Sequence, residues 1–330
     1  MDRPLVALIL AGGTGTRLYP ASRSDRPKQF QSFGRDRSLL AETVERAGFA
    51  DETYVLTRED YVEGVRDRAP GAAILTEPEP KDTGPALAYA AYKIREQVGD
   101  CVLLVLPSDH RIEGDFEDVA RTATDAAVET EGVVTLGIEP DRPATGYGYI
   151  KPGAAEDGYN RVDAFHEKPD RETATEYVED GFYWNAGMFA WTPEAFLAAT
   201  EGTPLEELVE GFEESPADAF AAVDPVSVDY AVLERADNVY VVPADVEWDD
   251  LGSWDALERV LDSEDGNAVL GDHVSIDSEG NVLASDGHVS VVSVSDLVVA
   301  SFDDRTLVLP KAQAQRVREV VSELRATGEF

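Results

Sequence analysis

The stretch LAGGTGTRLYPASRSDRPKQF, running from Leu10 to Phe30, decides how the rest of the chain is read. It follows the apolar run Leu5–Leu10, which predicts a strand, and no periodic pattern resumes until about Ser38. Gly12, Gly13 and Gly15 allow backbone N–H groups to approach a phosphate with no Cβ in the way. Arg17, Arg23 and Lys28 add positive charge where a triphosphate would lie. So long an irregular loop inside a compact chain is usually functional. A Walker A loop is excluded, because Gly15-Thr16-Arg17 stands where Gly-Lys-Ser/Thr is needed. The dinucleotide fingerprint is excluded too, because Leu18 occupies its third glycine position. A plain strand-to-helix turn would explain the glycines but not Arg17 and Lys28.

With 330 residues and 43% hydrophobic content, the chain can bury a substantial core, and its acidity does not read as disorder. Net charge is −38, so nucleic acid and anionic membrane surfaces are not expected partners. The acidity fits a heavily solvated surface of the kind that suits concentrated salt, and a halophilic protein is expected. Only six lysines occur, and Lys28, Lys81 and Lys168 all fall inside motifs. The single cysteine, Cys101, cannot form an intramolecular disulfide, and a reducing compartment fits. No basic n-region precedes a long apolar segment and no run is long enough to span a membrane, so a cytoplasmic location is expected.

Apolar runs at 5–10, 53–57, 72–76, 101–106 and 133–138 alternate with amphipathic segments. Continuous runs such as CVLLVL predict strands buried on both faces. The expected fold is α/β, a doubly wound, mostly parallel, Rossmann-like sheet, with ligands at the carboxyl ends of its strands. That rule places Gly12–Lys28, Glu77 and Asp109 on one edge. The β-rich stretch after residue 266 and a final helix at 311–326 predict a small appendage with no clean repeat. The expected domains are therefore 1–265 and 266–330, and the appendage suggests a homodimer contact.

Asp109, in Leu106-Pro107-Ser108-Asp109-His110, follows the most apolar strand and could reach a metal held against triphosphate oxygens. In Glu77-Pro78-Glu79-Pro80-Lys81-Asp82-Thr83-Gly84-Pro85, Thr83 is expected to cap the next helix. Helix initiation does not account for Glu77 or Lys81. Thr145–Ile150, Phe165-His166-Glu167-Lys168-Pro169 and Trp184-Asn185-Ala186-Gly187-Met188-Phe189 each pair a strand with groups suited to a sugar phosphate. Trp248-Asp249-Asp250-Leu251-Gly252-Ser253-Trp254 adds two carboxylates between tryptophans. Ser227-Val228-Asp229-Tyr230-Ala231 reads as a helix start with a packing role.

Taken in order, these segments resemble the sugar-1-phosphate nucleotidylyltransferases, and the ending PKQF is similar to their mannose-1-phosphate guanylyltransferase (GDP-mannose pyrophosphorylase) branch. The resemblance runs from residue 5 to about 325 and departs from the pattern at Tyr19, Lys81, Asp82, Gly84, Ser108 and Ala186. It implies transfer of GMP from GTP to α-D-mannose 1-phosphate, giving GDP-mannose and pyrophosphate. It implies Arg17, Lys28 and Asp109 as catalytic residues, and Asp109 with Asp250 as ligands of Mg²⁺. Nucleotide contacts are implied for Leu10, Gly12, Gly13, Gly15, Thr16, Glu77, Lys81 and Thr83, and sugar-phosphate contacts for Gly148, Glu167, Lys168, Asn185 and Gly252. Bifunctional members continue into an isomerase domain, so a single activity is expected here. A uridylyl- or thymidylyltransferase acting on glucose 1-phosphate would share the chemistry. A non-catalytic nucleotide-sugar sensor would share only the fold, and it would be expected to lack a loop cation or a metal carboxylate.

Overall fold

Unbroken runs of apolar side chains become the strands of a central sheet in the computed structural model, which describes residues 3–330. In chain order the strands are β1 (Leu5–Leu10), β2 (Glu52–Thr57), β3 (Ala73–Thr76), β4 (Val102–Pro107), β5 (Arg111–Glu113), β6 (Val133–Ile138), β7 (Gly148–Ala155) and β8 (Asn160–Glu167). They continue with β9 (Tyr183–Trp191), β10 (Val239–Ala244), β11 (Glu247–Asp249), β12 (Asp262–Glu264), β13 (Asn267–Ile276), β14 (Val282–Val292), β15 (Leu297–Phe302) and β16 (Arg305–Pro310). Chain packing defines two compact units. The first holds the residues up to Gly12, Thr43–Pro107 and Ile112–Trp248; the second holds Gly13–Glu42, Ser108–Arg111 and Asp249–Phe330.

The first unit is built on nine strands in the order β3-β2-β1-β4-β9-β6-β10-β8-β7. Its β3-β2-β1-β4 portion is parallel, and β9 then joins antiparallel to both β4 and β6. Val6, Leu8, Leu103 and Val105 are fully buried, as strands covered on both faces must be. The register aligns Leu10 with Leu56 and Pro107, so β1, β2 and β4 end together. That common carboxyl edge is where ligands of doubly wound sheets bind. A helix not expected from the sequence, Pro216–Ala222, starts where the Ser215 side chain accepts from the Asp218 N–H.

In the second unit the signature loop is packed on a small β-coil. Leu18, Tyr19, Ala21 and Leu39 share a core with Trp254, Val282, Val298 and Ala300. Trp254 Nε1 donates to the Tyr19 carbonyl at 2.9 Å, and Arg23 pairs with Asp303 at 2.6 Å. The coil corrects the expectation of no repeat: β13, β14 and β15 stack in parallel, with Ala268 over Val282 and Val282 over Val298. Asn267 and Asn281 form a buried ladder. Asn281 Nδ2 donates to Asn267 Oδ1 at 2.8 Å, and Asn281 Oδ1 accepts the Leu297 N–H at 2.9 Å. The signal was Asn267-Ala268-Val269-Leu270 against Asn281-Val282-Leu283-Ala284, an offset too short and too degenerate to read as a repeat by composition. The expected final helix is divided into a tight turn, Lys311–Arg316, and a helix, Val317–Thr327, because Gln313 leaves helical geometry.

Replacing Asn281 by Ala leaves the Leu297 N–H and the Asn267 carbonyl oxygen without side-chain partners in a buried site. We expect a loss of about 1–3 kcal/mol, measured as a lower urea midpoint; an unchanged midpoint would show that the ladder contributes nothing.

Candidate active site

Lys28 organises the charged groups of the second unit. Its side chain is 3% exposed, and Nζ donates to Asp109 Oδ2 at 2.8 Å and to the Asp250 carbonyl. A buried ammonium is tolerable only with partners of this kind. Gly15 makes the burial possible, because it adopts φ 66° and a Cβ there would lie 2.3 Å from Lys28 Cβ. Gly13 is open on its Cβ side, and Thr16 begins a single tight turn that carries Arg17.

Asp109 is pushed up by burial, but Lys28, His110 and Arg17 outweigh that and hold its carboxyl below the usual range. Burial keeps the His110 imidazole below its ordinary value, against the pull of Asp109. Arg17 Nη2 stands 3.8 Å from Asp250 Oδ2. The two acids of Trp248-Asp249-Asp250 part company here. Asp249 is buried, pairs with Arg259 at 2.6 Å and accepts the Leu251 N–H. Asp250 instead folds over Gly252, where a Cβ would stand 2.2 Å from Oδ2 and 3.0 Å from Arg17 Nη2. Asp109 and Asp250 thus carry two carboxylates beside cations, with a glycine cradle under one of them, a set that fits a hard cation completed by phosphate and water.

In the first unit, Leu10 closes β1, and Gly12 lies two residues beyond it. The Ala11 N–H donates to the Leu56 carbonyl at 2.8 Å, and the Glu77 N–H to the Thr57 carbonyl at 2.9 Å. These bonds bring Gly12, Arg58 and Glu77 to the ends of three adjacent strands. A Cβ on Gly12 would lie 2.6 Å from Glu77 Oε1, so the carboxylate rests on glycine backbone. Burial, opposed by Arg58 and reinforced by Asp82, pushes the Glu77 carboxyl up to about 7.

Two residues expected to contact nucleotide make internal hydrogen bonds. Lys81 is buried with Nζ donating to the Ala221 and Val223 carbonyls, the latter at 2.9 Å, and so ties its loop down. Thr83 does not cap its helix: Asp82, at φ 69°, accepts the Thr83 N–H at 2.7 Å, while Thr83 Oγ1 accepts the Val228 N–H at 3.0 Å. At ψ 179° the Asp82 backbone lies outside the left-handed helical region, in one that side-chain-bearing residues rarely adopt, so this helix start carries local strain.

The sugar motifs converge in the same unit. Glu167 is nearly buried, pairs with Lys168, and approaches Gly148 so closely that a Cβ there would lie 2.5 Å from Oε2. Asn185, expected to contact the sugar phosphate, takes part in an internal network. Its Oδ1 accepts from Thr135 Oγ1 at 2.9 Å and from the Gly187 N–H at 3.1 Å, and its Nδ2 donates to Asp229 Oδ1 at 2.8 Å. Asp229, read from sequence as a packing residue, is the one the motifs missed. Burial, then the Glu167 carboxylate, pushes it up to about 6 against Lys168. Nothing local in Ser227–Ala231 announces a neighbour 62 positions earlier, at Glu167.

Comparison with known proteins agrees with this geometry. Residues 6–265 match the nucleotidyl transferase family, and the chain belongs to that family, in its mannose-1-phosphate guanylyltransferase branch. Residues 271–324 match the MannoseP isomerase/GMP-like beta-helix domain. The chain is 37% identical to the xanthan biosynthesis protein XanB of Xanthomonas campestris pv. campestris, over 98% of this chain and 74% of that protein. It is 35% identical to the mannose-1-phosphate guanylyltransferase ManC of Salmonella typhimurium, again over 98% and 74%. A Thermus thermophilus protein solved as a mannose-1-phosphate geranyltransferase superposes with a TM-score of 0.89 at 38% identity, covering 98% of this chain and 99% of that one. A UDP-glucose pyrophosphorylase in complex with UDP-glucose, at 18% identity and a TM-score of 0.53, shares the fold. Among the described residues no helix is long and apolar enough to cross a membrane.

The two neighbouring acids separate in a simple test. Asp250→Asn should lower kcat by about a hundredfold or more with the fold intact, whereas Asp249→Asn should cost about 1–3 kcal/mol of stability and leave kcat within a fewfold of wild type. The opposite pattern, read by turnover and urea melts, would reassign the pair.

Proposed function

We propose that this chain transfers GMP from GTP to α-D-mannose 1-phosphate, releasing GDP-mannose and pyrophosphate. The observation that carries this is the cluster of Arg17, Lys28, Asp109 and Asp250, which retains every charge that nucleotidyl transfer requires. An oxygen of the sugar phosphate attacks the α-phosphorus, the bond from that phosphorus to the bridging oxygen breaks, and pyrophosphate departs with the electron pair. The attacking oxygen is already anionic at neutral pH, so no general base is needed. Alignment and charge compensation do the remaining work. Arg17 and Lys28 meet the triphosphate and the leaving group, aided by the N–H groups of the glycine loop. Mg²⁺ would be held by Asp109 and Asp250 and would supply Lewis-acid stabilisation of phosphate oxygens. Glu167, Lys168 and Gly148 hold the sugar phosphate, with Asn185 keeping Asp229 in place. Glu77 accepts from guanine N1–H and N2–H₂.

In this reading residues 1–265 are the catalytic domain and 266–330 an appendage that serves a homodimer in the cytoplasm. The surface charge belongs to a protein adapted to concentrated salt. Pyrophosphate release with Mg²⁺, crossing four NTPs against mannose and glucose 1-phosphates in dilute buffer and in molar KCl, tests these points together. GTP with mannose 1-phosphate should dominate, and turnover should rise with KCl. Preference for UTP or dTTP with glucose 1-phosphate would overturn the specificity, and full activity in dilute buffer would remove the halophilic reading.

The role of Glu77 has a pH signature. Burial pushes its carboxyl up to about 7, and only the ionised form accepts two N–H groups. KM for GTP should therefore rise as pH falls below 7, by up to about tenfold per unit for a single titrating group, and level off above it. Glu77→Gln should abolish this step. A KM flat from pH 5.5 to 8.5 in the wild type would contradict the assignment.

A further inference from the structure

Arg58 stands at the carboxyl end of β2, beyond Thr57, and neither the signature loop nor the sugar motifs give it a task. Thr57 Oγ1 donates to the Ala11 carbonyl at 3.0 Å, which fixes this strand end against the one that bears Gly12. A Cβ on Gly12 would meet both Glu77 Oε1, at 2.6 Å, and Arg58 Cγ, at 3.8 Å. The two side chains therefore both lie against Gly12, at the edge where a doubly wound sheet takes its ligand. The guanidinium lies 4.3 Å from the centre of the Tyr61 ring, and Tyr61 is itself buried, so the planar fork is held by its face. Its Nε is buried and has no hydrogen-bond partner among the described residues. A buried N–H without an acceptor is rare in proteins, and a ligand that supplies the acceptor is a standard explanation.

We propose that Arg58 is a specificity residue for the purine base, donating from Nε and one Nη to guanine O6 and N7. This rests on the reading of Glu77 as the acceptor for N1–H and N2–H₂, and extends it to the adjoining edge of the same base. A guanidinium presents two parallel N–H groups at the spacing of O6 and N7, and the pair discriminates well against adenine, which carries an N–H₂ donor in place of O6. Glu77 and Arg58 together then read complementary edges: the carboxylate takes the donors, and the fork takes the acceptors. The charge of Arg58 also favours the ionised form of Glu77, so each residue supports the other's contact.

Two analogues isolate the two contacts. In 7-deaza-GTP the N7 acceptor is replaced by C–H, and in ITP the N2 amino group is missing. We would measure kcat/KM for GTP, 7-deaza-GTP and ITP with mannose 1-phosphate at pH 8.5, where Glu77 is ionised, in the wild type, Arg58→Leu and Arg58→Lys. Wild type should prefer GTP over 7-deaza-GTP by roughly tenfold or more. In Arg58→Leu the GTP rate should fall to near the 7-deaza-GTP rate, collapsing that ratio to about one, while the GTP:ITP ratio stays within a fewfold of wild type. Arg58→Lys, a point charge without the fork, should not restore the ratio. A wild-type GTP:7-deaza-GTP ratio near one overturns the Arg58 proposal even if the variants do not fold, and it leaves Glu77 untouched. A GTP:ITP ratio near one in the wild type overturns the Glu77 reading instead, whatever the first ratio shows. A 7-deaza ratio that persists in a folded Arg58→Leu enzyme places the N7 contact elsewhere and also overturns the proposal.

Discussion

A buried ammonium in a chain of net charge −38 is the constraint on which the charged cluster of the second unit depends. Lys28 is held out of water by two oxygens, one from the Asp109 carboxylate and one from the Asp250 main chain. Those oxygens come from segments far apart in sequence, so one cation fixes three pieces of chain at once. Gly15 is part of the same constraint, since any larger residue would both strain the backbone and strike the lysine stem. With few cations available, the protein places one where a single charge orders the most structure.

The carboxylates divide into two kinds by their surroundings. Asp109 is held below the usual carboxylate range by Lys28, His110 and Arg17, against the effect of burial. Glu77 and Asp229, buried with little compensating charge, are pushed up to about 7 and about 6. The sign of the stability effect differs accordingly. The lowered Asp109 contributes stability that is present at neutral pH and lost in acid. The raised pair costs stability as pH climbs through 6 and 7, because folding then has to bury ionised carboxylates whose desolvation outweighs the pull of Arg58 on one and of Lys168 and Asn185 on the other. Opposite displacement of acids within one protein is a recurrent mark of sites that bind and react.

Much of this was legible in the sequence, and what was not has a physical reason. Apolar runs without alternation predicted the parallel strands, and the glycine loop with its cations predicted the cluster around Lys28. Asp250 could be chosen over Asp249 only by matching a known motif, and the structure shows why the choice matters: Arg259, nine positions beyond Asp250, takes Asp249 out of play. Lys81, Thr83 and Asn185 also bond within the protein, to the Ala221 and Val223 carbonyls, the Val228 N–H and Asp229. Those partners lie at long sequence separation, which local pattern cannot report. The β-coil was missed because its rungs repeat a buried Asn and apolar neighbours rather than an obvious motif. Arg58 was missed because a single arginine after a strand has no signal until Gly12 and Glu77 stand beside it.

The most direct test of the central claim is the turnover of Lys28→Met, which keeps the stem packed on Gly15 and removes only the ammonium. Measured as pyrophosphate release at saturating GTP and mannose 1-phosphate, with circular dichroism to verify folding, kcat should fall by about a hundredfold or more. A folded Lys28→Met enzyme with kcat close to wild type would contradict the account.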